Sequence, residues 1–230
     1  MHRAGGAAAF LLLGYSLATM VQLVLLGGPP KTAVEAFGLL QQHPVEALLR
    51  LDLPTALVMP LYYVLFLALA RALWQDDPGG AALGGVLVFA GLTLVLATPS
   101  SLSLLTLAAR HAAAPAAAER AQLEAAGQAI LAADMWHGTG AFVGGLLLQA
   151  GATWTCVVML RSSAFPKSTA VVGIATHGLD FAHVALAPAF PTAGLVTMAA
   201  AGPLYLLWFP MVGTRLLRLA LAPGRPAERA

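Results

Sequence analysis

Six apolar runs, each about as long as a bilayer's hydrocarbon core is thick, leave this chain essentially one class of fold. In lipid no water satisfies stranded N–H and C=O groups, so only helices and closed barrels cross it. The runs cover residues 4–26, 51–73, 81–102, 131–160, 169–187 and 192–219. Each approaches or exceeds the roughly 20 residues a spanning helix needs. Composition agrees. Of 230 residues 59% are hydrophobic and 10% charged, with a mean hydropathy of +0.81, where an average soluble domain carries roughly 25% charge. So little charge cannot coat a water-soluble globule, and the chain is far too apolar to be disordered. The expected fold is all-α: one six-transmembrane-helix bundle over residues 1–222, with a short cytoplasmic tail at 223–230.

Two amphipathic segments interrupt the runs. Residues 31–50 carry Val34, Phe37, Leu39, Leu40 and Val45 among Lys31, Glu35, Gln41 and Gln42. The segment is too polar to span and is expected to lie at the membrane interface, broken before Pro44. Residues 110–126 are rich in alanine with Glu119, Arg120, Gln122 and Glu124, and read as a surface helix. The first apolar run ends at Gly27-Gly28-Pro29-Pro30, a strong helix stop. It is long for a signal peptide, lacks a clean cleavage site, and reads as a first span with signal-anchor character.

Charge sets the expected orientation. Six spans leave Arg3, Arg71, Arg161, Lys167, Arg215, Arg218, Arg225 and Arg229 on one side, and Lys31, Arg50, Arg110 and Arg120 on the other. By the positive-inside rule both termini are cytoplasmic and both amphipathic segments extracytoplasmic. The basic residues gather at helix ends, where membrane lipids are the expected partners. A net charge of +2 points to no nucleic acid. Cys156 is the single cysteine, so no internal disulfide forms.

Polar residues inside such runs are costly and mark candidate sites. Asp134 and His137 stand three apart at the start of the fourth run, as on one helix face. The fifth run contains His177-Gly178-Leu179-Asp180-Phe181-Ala182-His183, where Asp180 can neighbour both histidines. Asp52 sits at the mouth of the second run. With six spans, Asp52, Asp134, His137, Asp180 and His183 fall in the extracytoplasmic half, and His177 near the middle. These six residues are the expected ligand-binding set. His137, His177, Asp180 and His183 are the only deep group that could hold a metal, zinc or iron, although no diagnostic ligand spacing is present. A structural reading stands beside both, since Asp–His pairs also tie helices together, and residues near helix ends snorkel. Gly140, Gly144, Gly145 and Gly151 offer a small-residue packing face. Ser100, Ser101 and Ser103 lack the surroundings of a nucleophile.

The order of several stretches resembles a bacterial family of small six-helix integral membrane proteins known only as a domain of unknown function. The stretches are Thr98-Pro99-Ser100-Ser101-Leu102-Ser103, residues 125–131, residues 158–167 with Arg161-Ser162-Ser163-Ala164-Phe165-Pro166-Lys167, Val172-Gly173-Ile174, Leu207-Trp208-Phe209-Pro210 and residues 215–219. The resemblance implies a six-helix bundle in the bacterial cytoplasmic membrane and carries over no catalytic residue. Three classes of function remain open. They are a binding or transport-like protein whose polar pocket takes a small ligand, ion or proton; a metal-dependent enzyme acting on a lipophilic substrate; and an accessory or structural subunit.

Overall fold

A computed structural model describes residues 1–221, and all its elements are α-helices. The expected tail at 223–230 lies outside the described residues. In chain order the helices are α1 (His2–Leu26), α2 (Ala33–Gln42), α3 (Pro44–Arg50), α4 (Leu53–Val58), α5 (Leu61–Leu73), α6 (Pro78–Leu96), α7 (Ser101–Ala113), α8 (Ala117–Ala132), α9 (Thr139–Arg161), α10 (Lys167–Leu186) and α11 (Pro191–Leu221). Six stretches are long and apolar enough to cross a membrane: α1, α4 with α5, α6 with α7, α9, α10 and α11. Their number and order are those expected from the sequence. The differences lie at the breaks.

Each break has a local cause. α1 stops where Gly27 takes φ +84°, a backbone shape that side chains disfavour and that ends helices. Pro60 has no N–H to continue a helix, and the second span divides at Met59–Pro60. The third span was expected to run unbroken to about residue 102, but α6 ends at Leu96 and α7 begins beyond Pro99. The fourth was expected from residue 131, but α9 begins only at Thr139. Asp134 and His137 therefore stand in a turn between α8 and α9, not on a helix face.

Contacts gather the described chain into two compact units, one holding residues 1–14, 61–89 and 148–221, the other residues 15–60 and 90–147. In the first unit glycines let helices close up. Gly5 of α1 abuts Ala68 of α5, and a Cβ on Gly151 of α9 would stand 2.7 Å from Val88 N and 2.8 Å from Gly84 O of α6. Lipid tails are as apolar as the side chains, so close van der Waals packing is what joins such helices. Trp208, Phe209, Phe66, Leu69 and Met159 fill the interior.

The second unit alters the reading of the amphipathic segments. Instead of two separate surface pieces, α2 and α8 both pack on α7 and share one buried cluster with Phe37, Leu40, Leu104, Ala108, Leu123 and Leu131. The expected helix at 110–126 is in fact the end of α7 and the start of α8, parted at Pro115. Thr32 caps α2 through Glu35 N, and Ala33 N donates to Gln128 Oε1 of α8 at 3.1 Å. Arg50 donates to Gly28 O at 2.9 Å and pairs with Glu46 and Glu35.

Substitution of two glycines tests this packing. Gly151→Val meets backbone atoms that cannot yield, and is expected to cost about 1–3 kcal/mol or more, read as a lower melting temperature in detergent. Gly178→Ala has no neighbour within 4 Å of the new methyl group and should melt like the parent.

Candidate functional site

The six expected site residues fall into separate hydrogen-bonded groups, and two of the groups have structural work. Asp52 is 1% exposed, just before α4. One of its carboxylate oxygens accepts from Ser100 N and Ser100 Oγ, the other from Ser101 N and Ser101 Oγ. The carboxylate thus holds the first turn of α7, where unpaired N–H groups and the helix dipole favour an anion. Two of the three serines that lack a nucleophile's surroundings in the sequence, Ser100 and Ser101, are its partners. Asp134 is 5% exposed, and its Oδ1 accepts from Trp136 N, His137 N and His137 Nδ1, each at 2.9 Å. The expected Asp134–His137 pair forms, but as a turn in which the aspartate competes for backbone groups a helix would use. The His137 ring itself is 65% exposed.

The third group lies among α5, α9, α10 and α11 of the first unit. Gly173 on α10 lets Cys156 of α9 and Trp208 of α11 press against its bare Cα, which draws the three helices together. One turn further on, His177 is 1% exposed. Its ring meets Trp208 edge to face at 4.6 Å between centroids, Tyr205 at 5.4 Å and Phe66 of α5 at 6.2 Å. His177 Nδ1 stands 2.9 Å from Gln149 Oε1, and Gln149 Nε2 donates to Asp180 Oδ2 at 2.6 Å. The Tyr205 hydroxyl donates to the same Asp180 oxygen at 2.8 Å. An amide oxygen only accepts, so His177 Nδ1 carries hydrogen in this arrangement. His177 Nε2 is buried and has no hydrogen-bond partner. Gln149 is buried with His177, whereas Asp180 and Tyr205 are half-buried, which makes theirs the open side of the cluster.

Asp180 relates to its two histidines differently from the expected direct contacts. It reaches His177 through Gln149 and Tyr205. His183 Nδ1 turns instead to the Gly194 carbonyl of α11 at 2.9 Å. Among the described residues no three His, Cys, Asp or Glu side chains come together as a metal-binding group. His177, Asp180 and His183 of the first unit form no such group, and His137 belongs to the second unit. The one unpaired nitrogen of His177 lies in a ring packed against Trp208, Tyr205 and Phe66.

Gln149 and Tyr205 are the residues that sequence reasoning missed. Gln149 is an uncharged polar residue amid the fourth run, a modest signal. Tyr205 resembles any interfacial or core tyrosine until its hydroxyl is seen among three partners. Comparison with protein-family models, curated proteins and solved structures finds no match to this chain. Fold and cluster together define a multi-pass, all-α membrane protein with a polar cluster inside a helix junction.

The structural part assigned to Asp52 has a direct test. Asp52→Ala strands two serine hydroxyls and two backbone N–H groups, and should cost at least about 2 kcal/mol. Protease cleavage near Pro99 should quicken along with a lower melting temperature. His137→Ala, at an exposed ring, should stay within about 0.5 kcal/mol of the parent. Equal melting of Asp52→Ala and the parent would remove Asp52 from this part.

Proposed function

We propose that this protein binds a proton inside the bilayer, in the cluster of His177, Gln149, Asp180 and Tyr205, as part of a binding or transport activity. The observation that carries this reading is an imidazole and a carboxylate linked by one continuous set of hydrogen bonds within an apolar junction. Ionisable groups at such depth are expensive and are kept chiefly along ion and proton paths. A proton suits this cluster better than a small molecule because it needs no volume. Two shallow surface depressions, one beside Phe190 and Thr197 and one beside Trp154 and Phe181, have none of the four residues in their walls.

The finer placement belongs to the same proposal. The resemblance to the six-helix bacterial family favours the bacterial cytoplasmic membrane. The division of lysines and arginines favours both termini in the cytoplasm, with α2, α3 and α8 outside. His177, Gln149 and Tyr205 stand near the middles of α10, α9 and α11, which suits a site at mid-bilayer depth. Lipids would enclose the helices, and the exposed Leu11, Val24, Leu57, Val86 and Val171 suit such contact.

Infrared difference spectra of the protein in lipid nanodiscs test the proton reading. As pH falls, a carboxylic C=O band should grow in the parent and be missing from Asp180→Asn. Identical spectra from the two proteins would show that Asp180 takes up no proton. Orientation is tested separately with Ala118→Cys at the start of α8, which a membrane-impermeant thiol reagent should label from outside intact cells. Labelling only after the cytoplasmic side is opened would reverse the assignment.

A further inference from the structure

Tyr205 supplies the one hydroxyl among the four cluster residues, and its oxygen lies within reach of all three partners. It is 2.8 Å from Asp180 Oδ2, 3.3 Å from Gln149 Nε2 and 3.4 Å from His177 Nδ1. The geometry points to Tyr205 as the bridge by which a proton passes between Asp180 and His177. This inference rests on the reading of the cluster as a proton site and adds the residue that performs the transfer.

Two side chains join the histidine to the aspartate, and only one of them can relay a proton simply. An amide accepts at oxygen and donates from nitrogen, so a proton passing through Gln149 would leave a high-energy imidic acid. A phenol accepts and donates at a single atom. The burial of the two ends sets the direction. Asp180 is on the open side, whereas His177 is 1% exposed and makes its hydrogen-bond contacts with Gln149 and Tyr205. A proton therefore arrives at Asp180 and reaches His177 second.

The transfer balances without a further reactant. Protonated Asp180 gives its Oδ2 hydrogen to the Tyr205 oxygen as Tyr205 gives its own hydrogen to His177 Nδ1. One O–H bond on Asp180 breaks, one N–H bond on His177 forms, and Tyr205 ends as it began. A carboxylic acid and a neutral imidazole become a carboxylate and an imidazolium, and no electron changes hands. His177 Nε2 keeps its hydrogen throughout, among aromatic rings whose faces accept N–H groups weakly. The contacts suit the product, in which Nδ1 donates to Gln149 Oε1 while Gln149 Nε2 and Tyr205 donate to Asp180. The transfer is an equilibrium, so part of the protonated protein keeps its proton on Asp180. Gln149 thus holds the charge-separated pair, and Tyr205 conveys the proton. Further titratable groups close to the cluster are His183 of α10 beside Asp180, Tyr62 of α5 beside Tyr205, and Cys156 of α9 beside Trp208.

A pH jump on the full chain in lipid nanodiscs, followed by time-resolved infrared spectroscopy with isotope-labelled histidine, separates these parts. The His177 signal is identified by its loss in His177→Gln. Tyr205→Phe should slow formation of the His177 imidazolium at least tenfold, while the Asp180 carboxylic band still forms. Gln149→Leu should instead lower the final amount of imidazolium. In the parent with ring-labelled tyrosine, a tyrosine band should move with the same time constant as His177, a readout that needs no variant to fold. Unchanged His177 kinetics in Tyr205→Phe, or no tyrosine band moving with His177 in the parent, would overturn the bridge and leave Asp180 as a proton site. Absence of the Asp180 band from the parent would instead overturn the proton site itself.

Discussion

A polar group in a hydrocarbon layer has no water to turn to, and the site depends on how four side chains meet that constraint among themselves. Gln149 is the residue that lets them do so. Its amide accepts from His177 on one side and donates to Asp180 on the other, so neither charge-bearing group has to meet the other directly. Tyr205 adds a second donor to the carboxylate. Without these two residues, His177 and Asp180 would be two isolated costs in α10 and not one joined system. Close packing makes the meeting possible, because the bare Cα of Gly173 admits Cys156 and Trp208 and so draws α9 and α11 against α10.

The same residue types serve a different purpose elsewhere in the chain. Asp52 and Asp134 are also buried carboxylates, yet most of their bonds come from backbone N–H groups and nearby side chains of one turn. Such a carboxylate is fully employed in holding a helix start or a loop. Asp180 differs in accepting only side-chain donors, from two other helices, with an imidazole next in line. A group tied by side chains can exchange partners without unfolding a turn. That difference, more than depth in the sequence, separates a candidate site from a structural clamp.

The fold was legible in the sequence to the extent that hydropathy dictates it. Six apolar helices in the expected order, the stop at Gly27-Gly28-Pro29-Pro30 and the break before Pro44 appear as apolar length and turn residues indicate, while the fourth span starts later than its apolar run, at Thr139. The shared core of α2, α7 and α8 was not legible, since amphipathic helices look alike whether they rest on lipid or on each other. The break after Leu96 had a local signal in Thr98-Pro99-Ser100-Ser101, where proline cannot continue a helix and serine favours a new start, although the apolar length on the near side suggests one longer run. Of the site, His177 and Asp180 stood out as ionisable groups in an apolar run. Gln149 and Tyr205 did not, because neither is charged and nothing in a linear pattern relates them to His177.

The amino-acid sequence by itself determined that this is an all-α chain of six apolar helices, since the cost of unpaired backbone in lipid admits little else. It also determined which ionisable residues have to find partners. The tertiary structure alone decided who those partners are. Hydrogen bonds act over about 3 Å, and residues such as Gln149 and Tyr205, 56 positions apart, come within that reach only through the packing of α9, α10 and α11. Periodicity describes which face of one helix is polar, but not which face of another helix it will meet.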